Sequence, residues 1–570
     1  MPHVNEFVGL PPSAPPRRYT ALTIVAQDPA VRDRSRRVVT AKVRVPADHL
    51  EPGPRSHRFH VVDYDASTST LHPPAIVGGE DAFGDTPTSR LLDDFSFHAQ
   101  NVYAIAARTL ATFEAALGRR LAWGFPSHQL FLVPHAFAEA NAYYASEDQA
   151  LYFGYFAGKG GRRVYTCLSH DVIAHETTHA ILDGLRPSFV EPGLPDQAAF
   201  HEAFADIVAL LSVFSLSEVV ENLLGATDSA GRIPASHVTE EALKESALFK
   251  LAEEMGQAAS GERGSALRRS VQLEASGAWR DDPAYDEPHR RGEVLVAAIM
   301  QTLSKMWRGR LEALIHARRL DRERAAEEGA RAAAHLLRMV IRAIDYSPPV
   351  EFEFEDFLDA IVVSDSVVAP EDDYGYRGLL QAAFAAFGIT TPDRRIVDLT
   401  TAERPPTYDG VNFTSFRSDR DEIFRFLWAN VDLLGIDRRY QVRVENVRPS
   451  VRVGPDGLIV NETTADYVQM LDTTVGEAAR LGVASPEKLD PATPLGLLGG
   501  GTLIFDQFGH LKYHQTKPLL DVDRQTRRLA YLVRNGLRDT KKRFGFSSGT
   551  PRGQTFAEFH TPDDRAGERW

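Results

Sequence analysis

Ser169-His-Asp-Val-Ile-Ala-His-Glu-Thr-Thr-His-Ala-Ile-Leu-Asp-Gly184 is the stretch from which the rest of the chain is read. It holds His175-Glu176-x-x-His179. Residues four apart lie one above the other on one face of an α-helix, so the two imidazoles can meet a single Zn²⁺. Glu176 then stands beside the open coordination position, where a general base is useful. The flanks favour a helix. Ser169 suits the N-cap, Asp171 adds negative charge to the first turn, and Gly184 followed by Pro187 is expected to end it. The pattern is short enough to arise by chance, and what lies around it must decide.

A second apolar segment, Asp196 to about Phe214, supplies the missing ligand. In Phe200-His-Glu-Ala-Phe-Ala-Asp-Ile-Val, Glu202 and Asp206 are again four apart on one helical face. Both sit among Phe204, Ile207, Val208 and Leu211, where a solvated charge pair is a poor explanation. Carboxylates on so apolar a helix need partners. A Zn²⁺ with histidine ligands supplies them, with Glu202 as third ligand and Asp206 accepting a hydrogen bond from the far nitrogen of a ligand histidine, His175 by preference. His201, beside the ligand, reads as a bystander.

With 570 residues the chain exceeds one hydrophobic core and implies two or three domains. A formal charge of −14 argues against general nucleic-acid binding and against an anionic membrane surface. No run of about 18 apolar residues exists. The N-terminus lacks a basic region followed by an apolar one, so no secretory signal is visible and a cytoplasmic location is expected. Cys167 is the single cysteine, which rules out an intrachain disulfide and reads as a small core residue.

In order, residues 1–18 read as a Pro-rich arm. Tyr19–Val25, Arg37–Val45 and Arg58–Tyr64 read as strands, Phe95–Leu117 as a helix, and Leu130–Val133 and Leu151–Phe156 as strands. After the two motif helices come helices at Val238–Gly256, His289–Arg308, Leu320–Asp345, Phe354–Ser364 and Tyr374–Phe387, the last closed by Gly388. Residues 389–412 read as a linker. Beyond it Tyr440–Val447, Leu458–Asn461 and Gly501–His514 read as strands, with a turn near Gln507–Gly509, and Asp521–Asp539 as a basic helix. There is no internal repeat.

These blocks resemble the thermolysin-like gluzincin zinc metallopeptidases over about residues 95–388. Asp171-Val-Ile-Ala-His-Glu-Thr-Thr-His-Ala is similar to the family's zinc helix, and His201-Glu-Ala-Phe-Ala-Asp to its Asn-Glu-Ala-x-x-Asp block. The resemblance implies an α+β fold: a β-rich N-terminal lobe, the zinc helix and a helical C-terminal lobe, here followed by an additional α+β domain over 413–570. It implies that Asn141 and Ala142, in Asn141-Ala-Tyr-Tyr, pair with extended substrate backbone. It implies that His289 stabilises the oxyanion, with Asp286 orienting it, and that Arg268, in Gly264-Ser-Ala-Leu-Arg268, holds a substrate carbonyl. Departures stand beside these. The family's second oxyanion donor is a tyrosine shortly before the ligand glutamate, and Gly184–Phe200 contains none; Tyr285 is one substitute. The family's calcium site wants an acidic residue where Val213 stands, and Asp171 alone does not make one, so zinc is expected and calcium is not.

The expected activity is endopeptidase action on a peptide or protein, with Glu176 as general base. In a cytoplasm this demands either narrow specificity or a C-terminal domain that restricts access. The rival is a non-catalytic scaffold that keeps zinc for stability. The missing tyrosine favours it; Glu176 disfavours it, since a purely structural site has no use for a base.

Overall fold

A computed structural model of the chain describes residues 19–537 except 34, 79–80, 159–160, 192, 225–226, 229–231, 244–268, 271, 318–319, 392–404, 455–456 and 487–488. Helices take 45% of it and strands 22%, and the class is α+β.

The chain opens with the antiparallel pair β1 (Tyr19–Val25) and β2 (Thr40–Pro46), registered from Tyr19↔Pro46 to Val25↔Thr40. In β2 the period-two pattern is clean: Ala41, Val43 and Val45 face inward and Lys42 and Arg44 outward. The pair lies on α1 (Phe95–Leu117). Asp94 caps that helix by accepting from the Ser96 and Phe97 amides, and Gly118, left-handed at φ 67°, ends it.

A five-stranded mixed sheet follows. It comprises β3 (Phe59–Val61), β4 (Leu130–Phe137), β5 (Ala142–Ala145), β6 (Ala150–Ala157) and β7 (Arg163–Tyr165). Its order is β3-β4-β6-β5, with β7 also on β6. β5 is thus an end strand, paired antiparallel with β6 from Ala142↔Phe153 to Ala145↔Ala150. β5 packs on α2 (His170–Leu185), and Tyr144 Oη donates to Asp183 Oδ2 at 2.9 Å across that contact.

α2 packs on α3 (Pro195–Phe214), and α3 on the long α4 (Pro288–His316). α5 (Arg322–Ala343), α6 (Phe354–Val368) and α7 (Tyr376–Ala386) complete the helical part. One apolar core runs from Leu22 to Ile389 and takes in Ile504 and Tyr513. Among the described helices α3 alone is long and apolar enough to cross a membrane, and 89% of that window is buried inside the protein.

The last part is a four-stranded antiparallel sheet, β8 (Gln441–Val453), β9 (Ile459–Thr474), β10 (Pro494–Phe505) and β11 (Leu511–Lys517), flanked by α8 (Arg420–Ala429) and α9 (Val522–Arg534). It has two apolar clusters of its own, around Phe426 and Leu497. Beside the apolar contacts of Ile504 and Tyr513, buried ion pairs and hydrogen bonds fasten it to the rest. Arg186 meets Asp466 at 2.5 Å, Tyr346 Oη donates to Glu462 at 2.7 Å, Lys517 reaches Glu353 at 2.8 Å and Asp356, and Arg528 meets Glu351 at 2.5 Å. Arg186, Asp466, Glu462, Lys517, Arg528 and Glu351 are all buried.

Several expectations change. Gly184 does not end α2; the helix runs on to Leu185. Its role is steric, since a Cβ there would meet the Ala122 carbonyl oxygen at 2.2 Å. Ser169 occupies the N-cap, yet its hydroxyl makes no capping bond. It donates toward Asp28 Oδ2 (2.7 Å) and Asp171 Oδ1 (2.8 Å) instead. α4 runs to His316 rather than Arg308, and β9 spans 16 residues where four were expected. The helix expected over Val238–Gly256 is described as a 3-10 turn at Ala235–Val238 and a short helix at Glu240–Leu243; the remainder, with residues 1–18 and Arg268, lies outside the described residues.

Candidate metal centre

α2 and α3 cross with their carboxylates and imidazoles turned toward each other. His175 Nε2 and His179 Nε2 lie 2.8 Å apart. Glu202 brings Oε2 within 3.5 Å of His175 Nε2 and Oε1 within 3.5 Å of His179 Nε2. All three side chains are buried, and one donor atom from each lies within 4.8 Å of the others. Two nitrogens and a carboxylate at such spacing can hold one metal ion.

The backs of both histidines are held. Asp206 Oδ1 lies 2.9 Å from His175 Nδ1. A carboxylate there accepts the Nδ1 proton and leaves Nε2 as a lone pair, the tautomer a metal ligand needs. His179 Nδ1 lies 2.8 Å from His201 Nδ1, and the two rings stack at 4.9 Å. For His179 to offer Nε2 to an ion, its Nδ1 must carry the proton and donate to His201, whose own proton then sits on Nε2. His201 is therefore no bystander in this geometry. The signal in the sequence was its place one residue before Glu202, where the block it resembles carries asparagine.

Glu176 lies on α2 between the two histidines and is 1% exposed. Glu202 is buried on the apolar helix α3 and Asp206 is only partly exposed, so their carboxylates find partners in the histidines. The crossing of α4 over α3 is close: a Cβ on Gly292 would meet Ala203 Cβ at 3.1 Å and the Ala199 oxygen at 3.2 Å. This holds the start of α4, with half-buried His289, about one turn from the crossing. Glu287 caps α4 by accepting from the His289 and Arg290 amides. Asp286, expected to orient His289, is engaged by Arg534 of α9. Asn141 precedes the end strand β5; its Oδ1 accepts from the Ala142 amide at 2.9 Å and its carbonyl accepts from Gly154. Tyr285 lies against α4 under the Arg290 guanidinium.

Near Asp171 the partners are Ser169 and Asp28, and Val213 is a buried apolar residue. Among the described residues, two groups of three His, Cys, Asp or Glu donors are close enough to share an ion, and Asp171 belongs to neither. One is His175, His179 and Glu202; the other is His98, His135 and Cys167. Comparison of the chain with protein-family models and with curated proteins finds no match.

Proposed function

We propose that the chain is a zinc-dependent, thermolysin-like endopeptidase. The observation that carries this reading is the convergence of His175, His179 and Glu202 with Glu176 on the same helix. Zinc held by those three ligands would supply Lewis acidity, polarising a scissile carbonyl and easing the loss of a proton from water. Glu176 takes that proton on its carboxylate and carries it to the leaving amine nitrogen. Asp206 and His201 hold the ligand imidazoles in the required tautomer. His289, at the start of α4, donates to the developing oxyanion. Extended peptide adds to the edge of β5 beside Asn141 and Ala142, where main-chain hydrogen bonds give affinity without fixing sequence.

One observation favours the alternative, a non-catalytic scaffold stabilised by zinc. His175, Glu176, His179 and Glu202 are all 4% exposed or less, and Gly184–Phe200 contains no tyrosine for the oxyanion. Wild type and Glu176→Gln, assayed for zinc and for cleavage of a mixed peptide library by mass spectrometry, separate the two. The peptidase reading expects both to carry the zinc that His175→Ala loses, and cleavage to fall about 10²–10⁴-fold in Glu176→Gln. Equal zinc with no cleavage by wild type would leave the scaffold.

A further inference from the structure

The second donor group lies in the N-terminal half and has no part in the reaction above. His98 comes from the first turn of α1, His135 from β4, and Cys167 from the 3-10 turn that launches α2. All three residues are 1% exposed or less. Phe95 stacks on the His135 ring at 4.1 Å, and Tyr165 lies 4.8 Å from His98 and 5.2 Å from His135. The Asn101 side chain, itself buried, donates to the Cys167 carbonyl at 3.0 Å and fixes that turn against α1.

The polar contacts form a line that can be counted. His98 Nε2 lies 3.0 Å from the Leu92 carbonyl oxygen. His98 Nδ1 lies 2.8 Å from His135 Nε2. His135 Nδ1 lies 2.8 Å from Asp63 Oδ1. Both ends of the line are acceptors, a carbonyl and a carboxylate. Two neutral imidazoles bring two N–H protons to these three close contacts. When the outer contacts take the protons, as a carbonyl and a carboxylate require, the two imidazoles face each other lone pair to lone pair. Cys167 Sγ stands 4.0 Å from His135 Nε2 at that same gap.

We propose that this gap is a second metal site, a zinc site with His98 Nδ1, His135 Nε2 and Cys167 Sγ as its protein ligands. A cation between the two lone pairs completes what the proton count leaves open. The arrangement behind the ligands is the one metal-bound histidines adopt, with a carboxylate on one far nitrogen and a backbone carbonyl on the other. A thiolate with two imidazoles suits zinc or copper(I). Charge decides between them: a thiolate and the Asp63 carboxylate balance a divalent ion, whereas a monovalent one leaves net negative charge in a buried place. On binding, the Cys167 thiol gives up its proton to solvent as the S–Zn bond forms.

Cobalt is the probe, because a thiolate ligand gives Co²⁺ a strong near-ultraviolet charge-transfer band that His and Glu ligands do not. The full chain is produced with cobalt as the only transition metal supplied, as wild type, as Cys167→Ser and as the double variant His175→Ala/His179→Ala. The proposal expects the band in wild type, its loss in Cys167→Ser with one ion fewer per chain, and its persistence in the double variant. That last protein lacks the peptidase centre, so failure of one site is not confused with failure of the other. If Cys167→Ser does not fold, wild type and the double variant still decide. A folded wild type without the band overturns the proposal, as does a Cys167→Ser that binds as many ions as wild type. Copper rather than zinc in the purified chain, lost in Cys167→Ser, overturns the assignment of the ion.

Discussion

His201 Nδ1 stands 2.8 Å from His179 Nδ1, placed to accept its hydrogen bond when His179 offers Nε2 to an ion, and a histidine in that position does what any well-placed acceptor can do. His201→Ala is expected to weaken metal binding at the His175 centre by about 10–100-fold, and His201→Asn, which keeps an acceptor, by much less. Competition with a chromophoric chelator measures both, and equal losses would remove the hydrogen-bond argument. Asp28 tests the sign of a pH effect. Burial pushes its carboxyl up to about 6, the Ser169 hydroxyl opposes the rise, and the Asp171 charge adds to it. Between about pH 4 and pH 6 the unfolded chain has released a proton that the folded chain keeps, so stability falls as pH rises through that window and levels above it. Asp28→Asn is expected to flatten that fall in urea-denaturation midpoints; a curve parallel to wild type would show that another group sets it. At this scale the sequence told half the story. His175 with His179, and Glu202 with Asp206, were legible because helical spacing of four places each pair on a common face. His98, His135 and Cys167 were not, because 37 and 32 positions separate them and only the packing of α1 on the sheet brings them together.

Elements were legible where local chemistry and tertiary packing agree. α1 runs from Phe95 to Leu117 as the apolar spacing indicates, because Asp94 and Gly118 mark its ends in the sequence. β9 was read at a quarter of its length. Its buried residues include Glu462, Asp466 and Gln469, held by ion pairs and hydrogen bonds, together with Thr463 and Thr464, and these polar positions erase the apolar alternation that marks a strand. β10 begins at Pro494, ahead of the Gly501 at which the sequence reading starts a strand, and a Cβ on Gly500 would meet the Tyr467 carbonyl oxygen of the neighbouring strand at 2.4 Å. Gly184 belongs with these. Gly184→Ala adds a methyl where α2 touches the Ala122 backbone, and is expected to cost about 1–3 kcal/mol through displacement of one against the other. Chemical denaturation measures the loss, and a neutral effect would show that the 119–123 segment yields freely.

Buried ion pairs and a buried hydrogen bond join the C-terminal part to the rest of the molecule. Removing residues 413–570 takes Asp466 from Arg186, Glu462 from Tyr346 and Arg528 from Glu351. Stranding one member of a buried pair costs about 3–5 kcal/mol, and domains have only about 5–15 kcal/mol in hand. The truncated chain is therefore expected to lose its native circular dichroism and to aggregate on size exclusion; a folded monomer would refute this. A C-terminal region so deeply engaged belongs to the fold before it belongs to any control of access. The same pairs set a timetable for birth. Arg186 leaves the ribosome 280 residues ahead of Asp466. At about 5–20 residues per second, tens of seconds pass before its partner exists. Throughout that interval the turn between α2 and α3 holds a charge whose buried partner has not yet been made. For the peptidase proposed above, a fold completed so late would leave the nascent chain shielded from itself by the order in which its parts are made.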